Sequence, residues 1–182
     1  MIFVVRTRIF ADMYWRRIMK KFELAGEQKC LYGKILFRIK ALKSFGDVVA
    51  GQTGGWVEKE ENLSQEGNAW ISDDSAVKGD AIIKGNAWIS DDAVVEGNAV
   101  VSDDAIVGGN ARVKGNARVK GNARVIGNAW INDDTVIKGN AVVSDNAWVI
   151  GDAIVGGNAW ISDDAIVEGN AVVSDNAAVS GN

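Results

Sequence analysis

An aliphatic residue returns every six positions from Ile71 to Val179 without a break. The letters around it are nearly fixed. Ala stands two positions before each aliphatic, replaced only by Ser75 and Thr135, and Asn or Asp stands three positions after every one. Ala87-Trp88-Ile89-Ser90-Asp91-Asp92 and Ala93-Val94-Val95-Glu96-Gly97-Asn98 are typical words. The period is not helical: at about 100° per residue, six residues advance about 600°, and the aliphatics would scatter around the cylinder. In an extended chain, Ala and the aliphatic lie two apart and share a face, while the residue between them points the other way. Gly-Asn or Asp-Asp then supplies a corner, where residues tolerant of the left-handed backbone region are needed and Asx side chains bond local backbone. Four-residue strands joined by two-residue corners make a polygonal β-solenoid. Three sides, hence about 18 residues per coil, is the simplest closure, and residues 67–182 then fill six to seven coils of an all-β, single-stranded triangular solenoid.

In that register the position between Ala and the aliphatic faces outward and is free of folding constraints. Trp70 falls beside Trp88 with Trp160 further along the same face, and Trp130 falls beside Trp148 on a second. A third face carries Ile82, Val100, Arg118, Val136, Ile154 and Val172. Apolar ladders pair well along a sheet, and large exposed apolar strips mark partner surfaces. Self-association into a homo-oligomer is the leading reading, with a Trp platform for a sugar ring, cross-strand packing, or another protein partner as alternatives. Arg112, Arg118 and Arg124 occupy successive outward positions, one per side, as a basic girdle that reads as a solvated coil discouraging edge-to-edge aggregation. The candidate interaction surface is therefore Trp70, Trp88, Trp130, Trp148, Trp160, Arg112, Arg118 and Arg124.

Composition narrows the chemistry. The chain has no His, which removes the commonest general base and metal ligand. Cys30 is the only cysteine, so no intramolecular disulfide or CxxC motif exists; it reads as a small buried residue, and a single thiol fits a reducing cytoplasm. Asp73-Asp74 stacks over Asp91-Asp92 at one corner, with Asp145 over Asp163 further along. These carboxylates could hold Ca²⁺, but they read as turn residues, part of the spelling of the fold. No catalytic residue, cofactor or metal site is expected. Residues 1–66 hold 12 Lys/Arg against 8 Asp/Glu, whereas residues 67–182 hold 8 against 16. That acidic repeat surface argues against general nucleic-acid binding, which rests on phosphate neutralisation. No apolar run reaches the roughly 18 residues of a membrane span.

Ahead of the repeats, residues 1–18 mix aromatics and Arg without a period and read as an extension, with Met19 opening a better domain start. Residues 19–66 read as a small β-rich cap, needed because the first coil of a solenoid has an open edge. Phe22-Glu23-Leu24 and Lys29–Tyr32 are short strand candidates, Gly33-Lys34 a turn, Ile35–Leu42 the strongest strand, and Gly51–Gly55 a glycine-punctuated loop.

The aliphatic, turn pair and following Ala resemble the hexapeptide repeat of left-handed β-helix proteins. That resemblance implies left-handed coils against the usual right-handed crossover preference. More narrowly, Phe22-Glu23-Leu24, Tyr32-Gly33-Lys34, Phe45-Gly46-Asp47-Val48, Gly54-Gly55-Trp56-Val57-Glu58 and Asn62-Leu63-Ser64 with Gly67-Asn68 resemble the entry segment of YdcK-like repeat proteins of bacteria and their phages. The resemblance covers about residues 20–182. It implies a transferase-like (acyltransferase-type) descent, yet the catalytic His of such enzymes has no counterpart here. It also implies a further non-repetitive C-terminal segment, so a chain ending at Gly181-Asn182 is expected to be truncated or to have its last coil covered by a partner.

Overall fold

The computed structural model describes residues 20–181; the expectations for residues 1–18 and Met19 lie outside them. Three longer strands come first: β1 (Phe22–Leu31), β2 (Lys34–Ala41) and β3 (Thr53–Val57). A single 3-10 turn, Glu60–Asn62, follows, and then nineteen strands of two or three residues from Trp70–Ile71 to Ala178–Ser180. These assemble into three parallel stacks at a spacing of 18 residues, with Trp70 opposite Trp88, Val94 opposite Arg112 and Ile154 opposite Val172. The chain is a β-solenoid of six to seven coils, as the hexapeptide spelling requires. Among the described residues no helix is long and apolar enough to cross a membrane.

The core is the invariant part of the word. From Ala69 to Val167, the Ala and aliphatic positions are buried almost without exposure, with Ser75 and Thr135 equally buried where they replace Ala. Each hydroxyl finds an acceptor inside: Ser75 Oγ donates to the Ser72 carbonyl and Thr135 Oγ1 to the Asn132 carbonyl. A buried hydroxyl is tolerated on those terms alone.

The strands are shorter than the four residues the sequence suggests. Regular pairing spans two residues per side, but coil-to-coil hydrogen bonds continue through the corners, as from Asp92 N to the Gly109 carbonyl at 3.0 Å. The corner is bent by a positive φ at the fifth letter, held by Gly (Gly115, φ 71) or by Asp (Asp133, φ 62). Asp and Asn are among the few non-glycine residues that enter this region readily.

The cap departs from expectation in two places. The two short strand candidates merge into one ten-residue β1, its pairing with β2 irregular between Leu24 and Gln28. The Gly-rich stretch is partly strand: Gly54 and Gly55 lie inside β3, because a Cβ on Gly54 would stand 2.5 Å from the Trp70 ring and one on Gly55 2.6 Å from Ile71. Here glycine marks a close approach and not a loop. β3 pairs parallel with Ala76–Val77, so the β1–β2–β3 meander extends the first stack. Leu63 bridges to Ile83 on another stack. Polar side chains close what strands do not. Buried Asn62 donates to the Gly79 and Ala81 carbonyls (3.0 and 2.8 Å), and Lys21 Nζ donates to the Ala69 carbonyl at 2.9 Å.

Candidate functional site

Because Ala and the aliphatic point inward, every second-letter side chain points out, and the register arranges these in columns. The first column runs Ala76, Val94, Arg112, Trp130, Trp148, Ile166. The second runs Trp70, Trp88, Ile106, Arg124, Val142, Trp160, Ala178, and the third Ile82, Val100, Arg118, Val136, Ile154, Val172.

Trp70 does not belong to the surface. It is 0% exposed, covered by Phe45 edge-on with ring centroids 5.5 Å apart and approached by Gly54. The cap therefore takes one half of the Trp70/Trp88 pair into its own core and leaves Trp88 half-buried at its margin. Trp130 and Trp148 remain on the outside, tilted at 40° with centroids 5.5 Å apart. Ile82 is 41%, Trp148 45% and Trp160 54% exposed, while Ile166 (60%) and Val172 (67%) stand on the terminal strands of their stacks.

Arg112, Arg118 and Arg124 are exposed on three different faces. They do not converge on one ligand. Arg118 and Arg124 stand apart from it, while Arg112 Nη2 donates to Tyr32 Oη at 3.0 Å.

The Asp pairs are absorbed by the corners. Asp91 Oδ2 accepts the Gly109 N–H at 2.7 Å, Asp103 Oδ2 that of Gly121 at 3.0 Å, and Asp73 and Asp145 accept from Asp91 N and Asp163 N in the next coil. Among the described residues no group of three or more Asp, Glu, Cys or His side chains is placed to hold a metal ion. Cys30 is exposed and not buried. Its neighbours Lys29 and Leu31 face the solenoid, and strand alternation turns the thiol away.

The β1–β2 hairpin makes a site that spacing alone does not reveal. Its two-residue turn, Tyr32-Gly33, has both φ values positive (50° and 77°), the geometry of the tightest hairpins. The tip bends over the first column and reaches Arg112. Lys78 Nζ lies 4.9 Å from the centre of the Tyr32 ring on the way, ion-paired to Glu96 at 2.6 Å. Below the hairpin is a cleft of about 540 Å³, floored by Ala76 and Val94 and ended by Arg112 and Trp130. Its base is locked by Trp56, held between Lys29 and Arg38 at 4.6 and 4.7 Å from the ring centre. Trp56 Nε1 donates to Asp74 Oδ1 at 3.2 Å. That bond, with the Lys29 ammonium nearby, holds the Asp74 carboxyl below the usual range, while burial under the hairpin lowers the Lys29 pKa. The sequence places the turn at Gly33-Lys34; it falls one residue earlier, with Lys34 already in β2, and the curl of the hairpin over the prism was not readable.

The YdcK Beta solenoid repeat family matches residues 87–103 and 159–175, two stretches in which the word is spelled without cap or interruption. Those two stretches are similar to the YdcK repeat. Similarity also extends to a relative from Escherichia coli (strain K12), named uncharacterized acetyltransferase YdcK, 39% identical over 74 residues. That match covers 36% of this chain and 23% of the relative's length, so the chain spans under a quarter of it. The repeats carry the columns described above, and the hairpin cleft is built where the cap meets their first coils.

Proposed function

We infer that this chain is a non-catalytic scaffold that self-associates through the apolar outward letters of its solenoid. The observation that carries this reading is the pair Trp148 and Ile166, register neighbours on the first face, both large, apolar and solvent-exposed, with Trp160 and Val172 exposed on the other two faces. Burying such side chains is worth roughly 25 cal/mol per Å² of apolar surface, and soluble monomers rarely leave contiguous apolar patches uncovered. A chain without His and with its paired carboxylates engaged at corners has little to offer acid–base catalysis. Multi-angle light scattering across a concentration series tests the reading: a dimer or larger species at micromolar protein supports it, and a monomer at several hundred micromolar contradicts it.

A second reading follows from the name of the Escherichia coli relative. In it, the chain supplies the solenoid part of a transferase whose acid–base residues lie outside this sequence. Calorimetric titration with acetyl-CoA separates the two: heat of binding to this chain favours the transferase reading, and none retires it for these residues.

A further inference from the structure

The first face carries a second outward row beside the column of second letters. These fourth letters are Lys78, Glu96, Lys114, Asn132, Ile150 and Glu168, one per coil and in register. Lys78 and Glu96 satisfy each other at 2.6 Å. Lys114 lies over the Trp130 ring, 4.5 Å from its centre, and Glu168 is exposed. Among the described residues neither Lys114 nor Glu168 has an ion-pair partner. They stand three coils apart, about 14 Å at the spacing of stacked strands, so they cannot pair within one chain. Midway between them is the Trp130–Trp148 pair. In the second-letter column Arg112 is level with Lys114, and exposed Ile166 is level with Glu168.

A face that reads basic, Trp, Trp, acidic over four coils is complementary to itself when inverted. A two-fold axis lying along the strands, between the coils of Trp130 and Trp148, sets Lys114 of each copy against Glu168 of the other. It sets Arg112 against Ile166 and gathers four Trp rings at the centre, where aromatic anchors contribute most. Isologous pairing needs this reciprocity. The hairpin agrees with the same register. It covers the early coils as far as Arg112, where Tyr32 is 64% exposed, so the free face begins where Ile166 of the other copy would arrive. A two-fold axis along the solenoid would instead bring Arg112 against Arg112, Glu168 against Asp164 and hairpin against hairpin, and like charges so placed are costly. We propose that two copies pair antiparallel through the first face, in the register that sets Lys114 against Glu168. This rests on the self-association reading above and adds to it the face, the direction and the register.

The test is sedimentation equilibrium at low salt on the full chain and two variants, Lys114→Glu and Glu168→Lys. Each variant alone places like charges at both ends of the interface and should weaken association roughly ten-fold or more. Mixed in equal amounts, the two variants restore both opposite-charge pairs, and the mixture should associate close to the wild type. The mixture also controls for folding, because a misfolded variant is not rescued by the other. Single variants that associate like the wild type, or a mixture no tighter than its components, would overturn the proposal and leave the self-association reading in place. A wild type that stays monomeric at several hundred micromolar would overturn both.

Discussion

At the corner letter, Asn carries a donor that Asp lacks, so the choice between them decides where an amide ladder runs and where it ends. Runs from Asn68 through Asn86 to Asp104, from Asn98 through Asn116 to Asp134, and from Asn110 to Asp164 all stop on a carboxylate. The fifth letter is a separate requirement: it needs a positive φ, and Asp meets it while its carboxylate accepts a backbone N–H from the next coil. The sequence shows that an Asx recurs, and its turn role is legible from that alone. The ladder is not, because it depends on a register that brings residues 18 apart into hydrogen-bond reach. Asn128→Ala removes a bond on each side and should cost about 1–2 kcal/mol. Asn128→Asp keeps the acceptor for Asn110 and should cost about half as much. Urea unfolding of the two variants beside the wild type reads the difference.

At the scale of elements, the repeats were easier to anticipate than the cap. Each repeat strand repeats a local rule, so its inward and outward letters follow from period two within the word. The cap has no period. Gly54 and Gly55 read as loop punctuation because nothing local marks them as the point where β3 lies against Trp70 and Ile71. Trp70 reads as surface because its letter is outward in every other coil, and Phe45 covers it from elsewhere in the chain. Gly54→Ala should therefore destabilise the protein by about 3 kcal/mol or more, as overpacking against backbone and a ring does, visible as a lowered thermal midpoint and altered near-ultraviolet circular dichroism. Lys21 gives the cap a pH signature. Burial, with the nearby Lys43 charge adding to it, brings its pKa from the ordinary 10.5 to about 8. The unfolded chain thus binds this proton more tightly between pH 8 and 10.5, so this group's contribution raises stability as pH climbs through that window. Relative to Lys21→Met, which lacks the titration, wild-type stability should increase from pH 8 to 10.5 in chemical denaturation, and a flat or falling difference would contradict the placement of Lys21.

At the scale of the whole molecule, the chain divides its labour by letter. Ala, the aliphatic and the Gly/Asp–Asn/Asp corner build a stacked core that needs no metal or disulfide, in the manner of repeat proteins held by nearest-neighbour contacts. The second letter is left outside that core, where we propose it serves association, and its columns were legible in the sequence because the 18-residue register was. Which members of a column remain exposed was not, since exposure depends on the cap and hairpin laid over the early coils. Sedimentation equilibrium on a variant carrying Trp148→Lys, Trp160→Lys, Ile166→Lys and Val172→Lys, paired with its circular dichroism melt, tests this division most directly. The expected result is an associating wild type and a monomeric variant, the latter with the β spectrum retained and a cooperative melt. A variant that still associates like the wild type, or one that loses the fold, would contradict the assignment of these letters to association.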